Sequence, residues 1–394
     1  MAGSAAPTQQ ASPAQANAAA RMAILASGVD MLQQIYGQAV TPSAIPNGVV
    51  NVQPQNIGLI KGFYIEVIGT IHNTDGAAGV LTLTPWGAGN VLSRVQFNDL
   101  QNNVRINTSG AHIAMLDAAR QGFAYGGAYN PNIPVKFGAN YAIQTAPATI
   151  AAAADGAIRF CYYVPLAYAS NDFRGAVYAS VTQATQNLQL TLNVNPVSAA
   201  GDPTQYVYTG TTGVWKAGTT VQINIYQSFL DQIPRYTSGQ LSGQPVLPML
   251  DLNTIYELKD TTVTGMTANA DYGIPYTNYR DFLSTFATYD QAGTLSDGSD
   301  INYWSIQAAN FTNLIKVSPY IAALRARAVF MADPPKGTYY FDTRTKPINT
   351  NQFGNMQLVL NPITAAAGST VIVQYEAFAY TQTLAAQSLP GGAG

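Results

Sequence analysis

Apolar residues recur along this chain at two different periods. Met22, Leu25, Val29, Leu32 and Tyr36 fall at spacings of three, four, three and four, which places them on one face of a helix. Ile24, Met31 and Ile35 broaden that face, and Gly37 is its stop. Beyond Thr41 helical spacing gives way to short runs of alternating apolar and polar residues, bounded by Gly, Pro, Asn and Asp. "IGLIKGFYIEVIGTI" (57–71), "VLTLTPW" (80–86), "NVLSRVQF" (90–97), "AIRFCYYV" (157–164), "NLQLTLNV" (187–194), "YVYTG" (206–210) and "TVQINIYQSFL" (220–230) read as strands. So do "DFLSTFATYD" (281–290), "RAVFMAD" (327–333), "TYYFDTR" (338–344), "NMQLVL" (355–360) and "TVIVQYEAFAY" (370–380). Short helices are expected over 110–122 and 170–181. Such a density of short strands indicates sandwiches of the jelly-roll kind.

Two of the strands are written twice. "NLQLTLNVNP" (187–196) returns as "NMQLVLNP" (355–362), and "GTTVQINIYQ" (218–227) returns as "GSTVIVQYEA" (368–377), in the same order. The offsets differ by an amount that an insertion near 200–215 in the first copy accounts for. Ordered echoes of this kind imply two copies of one β-unit. The chain then divides into an arm and amphipathic helix (1–40), a first unit (41–241), a linker (242–252) stiffened by Pro245 and Pro248, a second unit (253–386) and a tail (387–394). Residues 1–18, small, polar and Pro-containing, read as a flexible arm.

Composition changes this picture in one respect. Only 10% of the 394 residues are charged and the net charge is −2, against roughly a quarter charged in an average soluble domain. Residues 175–201 carry no charge, and residues 347–394 carry only Glu376. Sheet edges without charged gatekeepers are usually covered, so much of this surface is expected to be hidden against neighbours. No basic field points to nucleic acid. The first twenty residues lack the cationic start and apolar run of a secretory signal, and no apolar run is long enough to cross a membrane. Cys161 is the only cysteine, which excludes an internal disulfide and suits a reducing compartment.

Candidate chemistry is sparse. His72 and His112 lie far apart and form, with Cys161, a poor ligand set, so no metal is expected. No nucleophile elbow and no phosphate loop occurs. Many of the acidic residues adjoin turn formers, as in Asp75-Gly and Asp202-Pro. Glu66, Glu257 and Glu376 lie in strand-like text, but nothing selects a catalytic pair among them. "IAALRARAVF" (321–330), read as a strand, would put Arg325 and Arg327 on one side, suited to a salt bridge between subunits. The sequons at Asn107 and Asn310 mean little without a secretory signal. The helix face Met22, Leu25, Val29, Leu32 and Tyr36 lacks the basic residues of a lipid-surface helix, so it is expected to dock on protein during assembly.

Several segments taken together resemble the major capsid protein of tectiviruses, icosahedral bacteriophages with an internal membrane. They are "NIGLIKGF" (56–63), "APATIAA" (146–152), "YYVPLAY" (162–168), "GAVYASV" (175–181), "YQSFLDQIP" (226–234), "LPMLDLNTIYEL" (247–258), "DINYW" (300–304), "ANF" (309–311), "PKGTYYFDTRTKPI" (335–348) and "GNMQLVLNP" (354–362). The Ala-rich arm and the loops 199–219 and 260–280 depart from the family. The resemblance implies an all-β chain of two tandem eight-stranded jelly rolls with an N-terminal helix and short helices in loops. It implies a homotrimer with a pseudo-hexagonal outline, contacts with neighbouring capsomers and with minor capsid and vertex proteins, and an internal viral membrane at the N-terminal base. It further implies a place in the virion after assembly in the bacterial host cytoplasm, no catalysis, no cofactor and no direct contact with nucleic acid. The repeated strand would be the G strand of each roll, its amides turned to a subunit boundary, and loop 260–275 an outward tower. A rival reading is a glycan-binding or receptor-binding pair of β-sandwiches. It would need a cleft with clustered tryptophans, whereas Trp86, Trp215 and Trp304 are scattered.

Overall fold

The computed structural model describes residues 12–40, 48–121, 145–180, 187–198, 205–308, 311–330, 336–353 and 355–380. Eight principal strands form the first unit: β1 (Val29–Val40), β2 (Val49–Val52), β3 (Leu59–Asn73), β4 (Leu92–Asn98), β5 (Val104–Thr108), β6 (Asp155–Pro165), β7 (Gln189–Val194) and β8 (Val221–Asp231). Eight more form the second: β9 (Thr254–Thr264), β10 (Tyr272–Pro275), β11 (Arg280–Gln291), β12 (Ile301–Ala308), β13 (Phe311–Val317), β14 (Thr338–Asp342), β15 (Met356–Pro362) and β16 (Thr370–Tyr380).

The first unit pairs in the orders β1-β8-β3-β6 and β2-β7-β4-β5, all antiparallel. The second pairs as β9-β16-β11-β14 and β10-β15-β12-β13, again antiparallel. Adding eight to each label converts one pattern into the other. The expected double jelly roll is therefore present, and the duplication holds for all eight principal strands. The echoed strand is β7 and β15. It is the seventh strand of each roll, H in the B-to-I lettering, not G.

Alternation fixes what each face of that strand does. Leu188, Leu190 and Leu192 are fully buried between the sheets of the first roll, beside Phe63 and Phe97, whose rings lie 5.4 Å apart. Met356, Leu358 and Leu360 do the same in the second roll, whose core centres on Trp304 and Tyr339. The amides and hydroxyls on the other face bond within their own sheet. Thr191 donates to Asn51 Oδ1 (2.8 Å), and Asn361 Oδ1 accepts from Asn302 Nδ2 (2.7 Å). Polar uncharged side chains thus satisfy one another without the desolvation cost of buried charge.

The N-terminal reading needs correction. Helix α1 runs over Pro13–Ser27, not to residue 36, so residues 13–18 of the expected arm are helical while 1–11 lie outside the described residues, and Val29–Val40 is a strand in the first roll's sheet. Ser12 caps α1 in a reciprocal box: Gln15 N donates to Ser12 Oγ, and Ser12 N donates to Gln15 Oε1. Pro13 supplies the preset first turn. The helical spacing from Met22 to Tyr36 is a coincidence spanning a helix and an edge strand.

Two further expectations change. Residues 319–330 form helix α4 (Pro319–Phe330), not a strand. Ser318 and Pro319 start it, and Ala322, Ala326 and Phe330 form its buried stripe. No helix forms over the described part of 170–181, which turns at Gly175 and adds a short strand, Val177–Tyr178, to β3. Helix α2 (Gly110–Gln121) lies where it was expected. A four-residue helix, α3 (Met249–Leu252), leads into β9. Part of the 260–275 loop is itself strand, in β9 and β10. Asn310 and the tail 387–394 lie outside the described residues.

Gly175 shows how tightly the two rolls meet. Its φ is +89°, and a Cβ there would lie 2.3 Å from Tyr256 Cβ, in the second roll. Gly175→Ala is expected to destabilise the protein by about 2 kcal/mol or more, because strain and overlap add. Thermal unfolding checks this; an unchanged midpoint would show that the two rolls do not meet so closely at that point.

Candidate assembly surfaces

The rolls are joined side by side within the chain. Strand β5, at the edge of one first-roll sheet, pairs in parallel with β9, at the edge of a second-roll sheet: Leu258 opposes Ile106 and Lys259 opposes Asn107. One continuous sheet therefore crosses from roll to roll. Edge strands are pairing templates, and here the chain uses two of its own edges on each other.

Side chains seal that joint. Arg120, near the C-terminus of α2, reaches across to the second roll. Its Nη2 donates to the Glu376 carboxylate on β16 and to Tyr256 Oη at 2.5 Å, while Nη1 donates to the Tyr168 carbonyl at 3.2 Å. Its guanidinium carbon lies 5.1 Å from the ring centres of both Tyr168 and Tyr256, close enough for cation–π attraction. Glu376 is fully buried and also accepts from Tyr256 Oη (2.9 Å) and Ser284 Oγ (2.7 Å). Burial, the largest single influence, lowers the Arg120 pKa, but the Glu376 charge and hydrogen bond together with Tyr256 and Tyr168 raise it, so the guanidinium stays charged. Gln374 on β16 donates to Ser109 Oγ, just before α2, at 3.0 Å.

His112 is fully buried at the same joint. Its ring meets Phe286 of the second roll edge-on at 5.3 Å, and its Nδ1 lies 2.6 Å from Thr108 Oγ1. Burial pushes its pKa down to about 3, so the ring is neutral near pH 7. Asp260, on β9, has its carboxyl pushed up to about 6 by burial.

A second tie links the N-terminus to the start of the second roll. Arg21 on α1 grips Asp251 on α3 with two bonds of 2.9 and 2.7 Å, and Asn17 adds a third of 3.0 Å. Ala20 and Ile24 face inward from α1, and Ile24 packs with Leu59, Phe173 and Leu230.

The five residues singled out as one helix face divide between two elements. Met22 and Leu25 are exposed on α1, while Val29 and Leu32 are exposed on β1. Tyr36, also on β1, is half-buried and packs on the first-roll core. They do not form a helical docking face, yet four of the five remain uncovered. The inward face of α1 is Ala20 and Ile24, of which the sequence reading included Ile24 and missed Ala20. The capping sequence Ser12-Pro-Ala-Gln15 was the available signal.

The strand carboxylates are structural. Glu66 lies 3.5 Å from Arg159, Glu257 bridges Arg280 (2.7 Å) and Lys259 (2.8 Å), and Glu376 holds Arg120. Trp86, Trp215 and Trp304 are buried in the cores and offer no stacking platform for a sugar. Among the described residues no cluster of metal-ligating side chains occurs.

Two jelly rolls of matching strand order joined edge to edge in one chain define a double jelly-roll protein. Residues 6–233 match the family model for the N-terminal part of the P3 major capsid protein, and residues 253–391 match that for its C-terminal part. The chain is 36% identical over 384 residues to the major capsid protein P3 of Enterobacteria phage PRD1, covering 94% of this chain and 95% of that one. In fold it is similar to the crystal structure of the STIV MCP (TM-score 0.64, 12% identity, 92% of this chain and 100% of that one). It is also similar to PBCV-1 VP54 as fitted into a reconstruction of the virophage Sputnik (TM-score 0.55, 11% identity, 89% and 93%). The chain belongs to the P3 major capsid protein family. It is a structural component of a viral capsid and not an enzyme.

Removing one member of a buried ion pair strands the other, at a cost of about 3–5 kcal/mol. Glu376→Gln and Arg120→Met are each expected to lower stability on that scale, and the double variant less than their sum, in a denaturant cycle. Additive losses would mean the two residues act separately. Acid should act through His112. Its folded pKa lies below the unfolded value, so its contribution is intact above about pH 6.5 and is lost as pH falls toward 3, by ~3 kcal/mol at pH 4. Asp260 acts in the opposite sense, since its raised pKa costs stability as pH climbs from about 4 to 6. Thermal melts of wild type and His112→Leu from pH 7 to 4 check the first effect: the variant's melting point should fall less, and parallel curves would contradict it.

Proposed function

We propose that three copies of this chain close into a pseudo-hexagonal capsomer, and that such capsomers tile an icosahedral shell over an internal membrane. The observation that carries this reading is the strand-for-strand repeat of the rolls combined with their side-by-side joint. A chain whose halves are alike and joined edge to edge ends in two unlike surfaces, one from each roll. Such surfaces meet head to tail, and head-to-tail contacts close into a ring when the rotation permits. Three chains then supply six similar blocks, an outline that tiles a surface.

The low charge supports burial of the flanks. Val29, Met31, Leu32 and Tyr64 are exposed on the first roll, and Tyr320, Ile321 and Leu324 on the second. Contacts between capsomers are weaker than contacts within one, which lets a growing shell correct errors. Residues 1–18 and α1 lie at the membrane-proximal base and contact the minor capsid proteins there. The exposure of Met22 and Leu25 on α1 supports this assignment.

Light scattering on the purified protein at micromolar concentration should give three times the chain mass of 41.8 kDa. A stable monomer would refute the reading. Deleting residues 1–18 should leave that mass ratio intact and abolish shell assembly; loss of the trimer would instead remove the arm from the base.

A further inference from the structure

The joint inside the chain gives the residue-level plan of a joint between chains, an inference that rests on the trimeric reading above. The echoes make the counterparts explicit. Ile225 on β8 corresponds to Tyr375 on β16, and Tyr226 to Glu376. Their neighbours on the next strand are Tyr36 and Gln34 in the first roll, Lys259 and Leu258 in the second. Gln34 and Tyr36 are thus the first-roll counterparts of Leu258 and Lys259, with a bulge between them. On the other side, Leu190 corresponds to Leu358 and Thr191 to Val359. Following their registers through β4 and β12 makes Ile315 and Lys316 the counterparts of Ile106 and Asn107.

Within the chain, Leu258 and Ile106 meet and are fully buried. Their counterparts have no such cover. Strand β1 ends its sheet, with Gln34 exposed, and β13 ends its own, with Lys316 exposed. Among the described residues neither outer edge has a strand partner. The helices that follow β5 and β13 differ in the same way. Ser109 and Ser318 each accept a bond from the backbone three residues on, at 3.2 and 3.4 Å, which places α2 and α4 in one register. His112 and Met115 on α2 are buried, whereas Ile321 and Leu324 at the same places on α4 are 48% and 61% exposed. Facing β1, a cavity of about 490 Å³ opens beside Leu32, Tyr64 and Tyr163.

We propose that β1 of one copy pairs in parallel with β13 of the next, Gln34 opposite Ile315 and Tyr36 opposite Lys316, with α4 covering the first roll's open sheet face. The partner is a second copy of this chain, because the chain already contains the equivalent contact in finished form. The Arg120–Glu376 lock is not repeated: Tyr226 stands in place of Glu376. The interchain joint is therefore closed by apolar contact and strand pairing, and it opens before the intrachain joint does.

The test is disulfide trapping in a Cys161→Ala background. Gln34→Cys combined with Ile315→Cys, oxidised after light scattering has established the native mass, should convert most of the protein to a covalent trimer on a denaturing gel. Each single variant, and the off-register pair Asp30→Cys with Ile315→Cys, should give little. A trimeric mass without cross-links, or equal cross-linking by the off-register pair, overturns the joint and leaves the trimer standing. A monomeric mass overturns both. Hydrogen exchange on the unaltered protein gives an independent reading: the amides in 29–40 and 313–317 that point away from their intrachain ladders should be protected, and fast exchange at those outward amides would also overturn the joint.

Discussion

Everything in this molecule depends on one strand pairing, the parallel contact of β5 with β9. It turns two sandwiches into one rigid body and sets the angle between them. Few hydrogen bonds are involved, so the seal around it matters more than the bonds themselves. A largely buried arginine between two tyrosines, a fully buried glutamate and a neutral histidine against a phenylalanine make that seal. Such a charged network adds little net stability over a well-packed apolar one. Its value here is geometric: Arg120 reaches Glu376 and Tyr256 together only when the rolls sit at one angle. A capsid protein needs that angle reproduced in every copy.

The outer surfaces follow from the same constraint. Strand β1, which ends its sheet, carries few of the charges that keep a free edge soluble. β1 has one acidic residue, Asp30, which is bonded to Lys61 at 2.6 Å. The proposed joint accounts for the scarcity of charge across the chain, since it hides sheet edges and apolar helix faces against neighbours. The amide-rich faces of β7 and β15 serve a different purpose. They keep the sheet surfaces polar through bonds inside the sheet, so that stickiness is confined to the edges.

Much of the architecture was legible in the sequence. The leucine and amide alternation of 187–194 and 355–360 marked a repeat because a half-buried strand has few other ways to be written. The helix expected over 110–122 lies at Gly110–Gln121. The errors have physical causes. Residues 22–36 satisfy helical spacing by accident, because an exposed edge strand has no strict inside and outside to impose a period of two. Residues 321–330 are short and apolar, and such a run fits a strand or a buried helix equally well; the Ser-Pro start was the deciding feature. The joint itself was not legible. Arg120 and Glu376 are 256 residues apart, and only the topology brings them together. Glu376 did carry a signal, as the lone charge between residues 347 and 394. A single carboxylate in an otherwise apolar strand needs a buried partner.

The central claim is that this chain encloses one joint and exports a copy of it. Cryo-electron microscopy of isolated capsomers tests it most directly, by measuring the rotation between successive sandwiches around the ring. Six steps of about 60° each are expected, with continuous sheet crossing every boundary, alternately within and between chains. Three tight pairs separated by gaps, or chains meeting through loops with β1 and β13 left open, would contradict it.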